Sequence, residues 1–210
     1  MTNYSRAERA ALCELLTKLG PQAPTCCEGW TTSDLAAHLI VRERRLDAAL
    51  GLLLPALSRR AEQVRLRVKS QPYSELIELL RHGPPRWSPL AIPAIEQAAN
   101  TLEFFVHHED VRRAQSHWPP RALPVEFEEL LWRRLTARAW LLLRKAPVGV
   151  VLRLPDGFTL QVRDGFPAVE LTGPPAELLL YAHGRKTVAR VELSGDPETT
   201  RRFTQSPLGL

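Results

Sequence analysis

At 210 residues, 44% of them hydrophobic, the chain is long enough for one good core or two modest ones, and its composition excludes intrinsic disorder. The net charge of +5 rests mostly on arginines spread beside acidic residues. Runs such as Arg42-Glu43-Arg44-Arg45 and Arg133-Arg134 read as solvated helix faces, whereas a nucleic-acid groove needs a localised basic stripe.

In chain order, Ser5-Arg6-Ala7-Glu8 predicts a capping box, after which Ala7, Ala11, Leu15 and Leu19 return to one face of a first helix that Gly20-Pro21 stops. Thr31-Thr32-Ser33-Asp34 repeats the cap signature, and Leu35, Leu39, Leu46 and Leu50 mark a second amphipathic helix, ending at Gly51. Residues 55–82 predict one or two shorter helices broken near Gln71-Pro72, followed by the proline-rich loop Gly83-Pro84-Pro85-Arg86-Trp87-Ser88-Pro89. A third long helix is expected from Pro93 to Gln115 and a fourth from Pro124 to Lys145, with Leu130, Leu131, Trp132, Leu135, Trp140 and Leu143 as its apolar residues. Four such helices predict a bundle over residues 1–146. From Pro147 the period becomes extended: strands are expected at residues 148–154, 158–163, 168–172 and 188–193, a short apolar helix at 175–182 and a last helical turn at 197–203. Residues 147–210 thus predict a small α+β domain, and the chain as a whole is mainly α.

No apolar run approaches the length of a membrane span, and Met1-Thr2-Asn3-Tyr4-Ser5 lacks the layout of a signal peptide, so a cytoplasmic protein is expected. The cysteine count is three, and two are the neighbours Cys26 and Cys27, so a disulfide framework is not expected.

The chemistry concentrates in Glu103-Phe104-Phe105-Val106-His107-His108-Glu109-Asp110. A four-residue step returns side chains to one helix face, so Glu103 and His107 can hold one ion together. His38, on the second helix, offers a third ligand, completing a two-histidine, one-carboxylate set suited to a divalent metal with open positions. The competing reading is a plain Glu–His hydrogen bond. Asp110 falls on the same face and can orient a ligand or move a proton, or else pair with Arg112 or Arg113. His108 points about 100° away and is left outside the ligand set. Cys26 or Cys27 can serve as a further ligand or a redox thiol, or simply pack as a small apolar side chain. Gly184-Arg185 can set a guanidinium against an anion, or be an ordinary arginine after a helix-ending glycine. There is no phosphate loop, no Gly-x-Ser-x-Gly elbow and no Cys-x-x-Cys pair.

Trp30-Thr31-Thr32-Ser33-Asp34-Leu35-Ala36-Ala37-His38, Glu103-x-x-x-His107-x-x-Asp110 and the later Leu171-Thr172-Gly173, Gly184-Arg185 and Leu193-Ser194-Gly195-Asp196 together resemble the mycothiol-dependent maleylpyruvate isomerase family, within the DinB-like superfamily. The run Phe105 to Ala114 is similar to an actinobacterial branch of metal-binding proteins without an assigned reaction. The resemblance implies a DinB-like four-helix bundle with a sterol-carrier-protein-like second domain. It implies a divalent ion, zinc first and nickel or iron(II) next, on His38, Glu103 and His107. It also implies a low-molecular-weight thiol, mycothiol in the family, activated to attack a small electrophilic substrate, with Asp110 and Arg185 as catalytic residues. The expected activity is a thiol-dependent transfer or isomerisation, with a non-catalytic metal- or ligand-binding protein and a metal-dependent hydrolase as alternatives. The His107-His108-Glu109-Asp110 run and the Cys26-Cys27 pair depart from what is associated with maleylpyruvate chemistry. No nucleic-acid or membrane partner is expected.

Overall fold

The computed structural model describes residues 2–45 and 58–209. The chain divides into two compact units, Met1–Pro119 and Pro120–Leu210. In the first, helices α1 (Tyr4–Leu19), α2 (Thr32–Arg44), α3 (Ser58–Lys69) and α4 (Tyr73–His82) lead through a 3₁₀ turn at Pro89–Ala91 into the long α5 (Pro93–Arg113). The expected continuation of the second helix through Leu46 and Leu50 to Gly51 lies outside the described residues. Helix α1 packs on α5 and α4, and α2 packs on α3 and α4. Leu12, Leu16, Leu35, Leu39, Leu76, Leu80 and Phe104 fill the core between them.

Helix α1 corrects two expectations. Its N-cap is Asn3, whose side chain accepts the Arg6 N–H at 3.1 Å, and not Ser5. Ser5 and Glu8 are drawn instead to distant partners, Ser5 Oγ donating to Glu96 Oε1 at 2.5 Å and Glu8 Oε2 lying 2.8 Å from His108 Nδ1. The buried face is Ser5, Glu8, Arg9, Leu12, Cys13 and Leu16, one step round from the alanine and leucine stripe, because half of it is polar and an apolar pattern cannot register it.

Helix α2 begins as expected. The Asp34 carboxylate accepts the Thr31 backbone N–H at 3.1 Å and the Thr31 hydroxyl at 2.8 Å. It also accepts Arg65 at 2.6 Å and Lys69 at 2.7 Å, so one buried carboxylate ties α3 to the first turn of α2.

In the second unit α6 (Val125–Thr136) packs on α8 (Pro175–Ala182), which is buried from Ala176 to its end. The expected fourth helix to Lys145 breaks after Thr136, where the Arg138 N–H bonds the Leu135 carbonyl at 2.9 Å, an i−3 closure that stops the α ladder. The short α7 (Ala139–Leu142) follows, with Trp140 left 64% exposed. Strands β1 (Gly149–Arg153), β2 (Thr159–Arg163), β3 (Ala168–Thr172) and β4 (Glu192–Ser194) form one sheet in the order β2-β1-β3-β4. The central pair β1 and β3 is parallel and both outer pairings are antiparallel. β4 is shorter than the expected 188–193 because its donors are spent elsewhere. The N–H groups of Val188 and Ala189 bond the Arg185 carbonyl, and that of Arg190 bonds the Glu177 carboxylate at 2.7 Å. Helix α9 (Pro197–Gln205) closes the chain, capped by Asp196.

Burial pushes the Asp34 carboxyl up, but the hydrogen bonds from Lys69, Arg65 and Thr31 outweigh it and hold the group well below the ordinary carboxylate range. Its stabilising effect is therefore complete above pH about 4, the unfolded value, and fades as acid approaches the lower folded value. Asp34→Asn is expected to cost about 3 kcal/mol in chemical denaturation at neutral pH, with the gap to wild type narrowing below pH about 4.

Candidate metal centre

Helix α5 presents Glu96, Asn100, Glu103, His107 and Asp110 at steps of four, three, four and three residues, a polar seam where a bundle helix ordinarily carries leucines. Each member needs a partner, and each has one. Glu96 accepts Ser5 and, at 3.3 Å, Arg9. Arg9 is held by Glu43 through two contacts of 2.6 Å, and Asn100 Nδ2 donates to Glu43 Oε1 at 2.7 Å. Arg42 donates to Asn100 Oδ1 and to the Ala99 carbonyl and lies 3.4 Å from Glu103 Oε1. Glu43 is buried, so the run Arg42-Glu43 is not the solvated face that its composition suggested: partners on α1 and α5 meet it across the bundle.

Along this seam the three expected ligands converge. Glu103 Oε1 lies 3.2 Å from His38 Nε2 and 3.3 Å from His107 Nε2, and the ligand atoms of all three lie within 4.8 Å of one another. The two imidazole rings stand 5.3 Å apart at 73°, edge to face. Glu103 is 24% exposed, so small species can reach the cluster. Asp110 is fully enclosed on the other side of His107, with Oδ2 at 2.9 Å from Nδ1. A carboxylate there accepts the Nδ1–H and fixes the ring orientation, with Nε2 turned toward Glu103 and His38. The Cys27 thiol donates to the same Asp110 oxygen at 3.2 Å. Trp30 stands 5.1 Å from the His38 ring, and both line a cavity of about 600 Å³ with Ala61, Glu62 and Arg65. His38 Nδ1 is buried without a hydrogen-bond partner among the described residues.

The electrostatics separate the two histidines. Burial lowers the His38 pKa, and the Glu103 hydrogen bond does not recover it, so that ring is neutral. Burial also pushes His107 down, but hydrogen bonds with Asp110, Cys27 and Glu103 outweigh it and hold the ring protonated well above the ordinary histidine value. For Glu103, burial pushes up while His107 and His38 pull down more strongly, leaving it ionised well below the usual carboxylate range.

The donor set fits a divalent cation. Two imidazole nitrogens and a carboxylate oxygen suit zinc, nickel or iron(II), and a tetrahedral ion with bonds near 2.0–2.1 Å sets its donors about 3.4 Å apart. The Glu103–His38 and Glu103–His107 separations, 3.2 and 3.3 Å, match that edge. A cation would take the place of the His107 Nε2 proton, which now serves the same cross-link.

Other expected residues are placed as follows. His108 is buried against Glu8 and does not face the cluster. Cys13, Cys26 and Cys27 form no disulfide among the described residues. Arg185 belongs to the second unit, just after α8, where its guanidinium donates to the His183 carbonyl at 2.6 Å. Sequence reasoning did not single out Glu96 or Asn100; the four-three-four-three spacing of polar residues on α5 was the signal that would have found them.

Two solved structures align with 91% of this chain and 90% of their own, at 16% identity. One is the mycothiol-dependent maleylpyruvate isomerase, with a TM-score of 0.65. The other is a variant of that isomerase with one histidine replaced by alanine, with a TM-score of 0.63. The chain has the fold of that isomerase. At this identity the likeness is one of architecture, and the resemblance read from the sequence extends to it. No family model and no curated protein matches the chain. Among the described residues, no helix is long and apolar enough to cross a membrane.

In the metal-free protein, nitrogen NMR is expected to show His38 titrating below about 6.5 and His107 above it, with Glu103→Gln lowering the His107 value. A His107 that titrates below His38 would contradict the assigned hydrogen bonds.

Proposed function

We propose that His38, Glu103 and His107 hold a divalent cation, zinc first, and that the protein uses it to drive a thiol-dependent transfer or isomerisation on a small electrophilic substrate. The observation that carries the reading is the convergence of three donors from two helices within 4.8 Å of one another, with both Glu103–histidine separations at the edge length of a tetrahedral ion. The shared fold with a mycothiol-dependent isomerase supports the thiol, with mycothiol as the named candidate.

When bound, the cation supplies Lewis acidity that lowers the pKa of a thiol and makes it a nucleophile at neutral pH. The protein's own residues do the rest. Glu103 contributes the negative charge that draws the cation in, and Arg42 at 3.4 Å restrains its carboxylate. Asp110 accepts the Nδ1–H of His107 and so holds the ring in register; being enclosed, it acts through His107 and is a positioning residue. Trp30 offers an apolar wall beside His38, against which the carbon skeleton of a small substrate can lie clear of water. Arg185, in the second unit, is proposed on the sequence resemblance as a residue that can hold an anionic group.

The test is elemental analysis of untagged protein together with His38→Ala, Glu103→Ala and His107→Ala. Near-stoichiometric metal is expected in the wild type, with the equivalent bound by this set lost in each folded variant and any ion held at Cys27 left in His38→Ala and Glu103→Ala. No metal in folded wild type after reconstitution would overturn the reading. Asp110→Asn should weaken zinc binding by about 10–100-fold in calorimetric titration. Loaded protein should consume an electrophile only with added thiol. Turnover without thiol would support a hydrolase, and metal without turnover a binding protein.

A further inference from the structure

The second donor cluster of the first unit lies on the opposite edge of the same imidazole. Cys27 Sγ stands 3.2 Å from Asp110 Oδ2 and 3.9 Å from His107 Nδ1, and those two are 2.9 Å apart. We infer that Cys27, Asp110 and His107 Nδ1 form a distinct cation site selective for thiophilic ions.

Three observations carry this. The first is chemical: a sulfur, a nitrogen and an oxygen donor make a borderline-soft set that suits zinc or cadmium and not magnesium or calcium. The second is charge, since a thiolate and a carboxylate together cancel a divalent ion, whereas the set on His107 Nε2 offers one carboxylate only. The third is preorganisation. The Cys26 N–H donates to the Asp110 carbonyl at 3.0 Å and Gln115 Nε2 to the Pro24 carbonyl at 3.1 Å, which ties the chain just before Cys27 to the end of α5 and the residues that follow it. Thr25 Oγ1 accepts the Cys27 N–H at 3.2 Å, fixing the residue itself. The sulfur–nitrogen edge of a tetrahedral zinc site is about 3.5 Å, within reach of small side-chain movements from the separations here. Asp110 is enclosed while Cys27 is part-exposed, so entry is from the cysteine side.

Binding releases the Cys27 thiol proton and the Nδ1 proton that His107 gives to Asp110. Because the two sites use opposite nitrogens of one ring, filling both makes His107 a bridge. The inference does not rest on the proposed function, since the second cluster needs neither His38 nor Glu103.

Cadmium titration of the metal-free protein, read by the ultraviolet thiolate-to-cadmium charge-transfer absorption, tests the site. One thiolate's absorption per chain is expected in wild type, in Cys26→Ser and in His38→Ala, and none in Cys27→Ser. Asp110→Asn should weaken that binding about tenfold or more. Circular dichroism establishes that each variant is folded, and Cys27→Ser should still take up cadmium spectroscopically silently at the His38 set. No absorption in wild type, absorption that survives Cys27→Ser, or absorption lost in folded Cys26→Ser would each overturn the site. Absorption kept in His38→Ala while wild type shows no silent cadmium uptake would remove the proposed function and leave this site standing.

Discussion

The first unit is organised by the need to satisfy a polar seam inside a helical core. Glu96, Asn100, Glu103, His107 and Asp110 occupy the stripe of α5 that in most bundles is apolar, and an unpartnered carboxylate there would be strongly destabilising. The neighbouring helices answer residue by residue: α1 with Ser5 and Arg9, α2 with His38, Arg42 and Glu43, and the loop before α2 with Cys27. Removing one partner of such a buried pair strands the other, which is why Arg9, Glu43 and Asp34 act as structural residues despite their charge.

The two ends of the seam differ in what their counter-ions can do. At the Glu96 end the cation is a guanidinium, which never gives up its proton near neutral pH, so the interaction is fixed. At the Glu103 end Arg42 is joined by His107, whose Nε2 proton is the one that the proposed metal ion would replace. One construction principle thus gives a rigid tie at one end and a chemically exchangeable centre at the other. Asp110 and Cys27 extend the exchangeable end to the far nitrogen of the same ring.

Much of this was legible in the sequence. The Glu103–His107 step and the half-site at His38 follow from helix periodicity, and the structure brings those three residues together. The strands through Thr172 and the apolar helix at 175–182 follow from period and branched residues. What escaped was set by partners distant in sequence. Ser5 and Glu8 form a local capping pattern that buried partners distant in sequence override, and Glu43 sits in a charged run whose partner Arg9 is invisible from α2 alone. The last strand was over-extended because alternation cannot show that Glu177 and Arg185 claim its donors. The meeting of Cys27 with Asp110 depends on a loop path that no spacing rule gives.

The most direct test of the central claim is X-ray absorption at the zinc edge on Cys27→Ser protein, which lacks the neighbouring thiol, loaded with one equivalent of zinc and without added low-molecular-weight thiol. Two imidazole ligands with the remainder oxygen, and no sulfur, is the predicted first coordination sphere, with one sulfur entering when the thiol is added. A sulfur-dominated sphere, or a zinc without histidine ligands, would contradict the account.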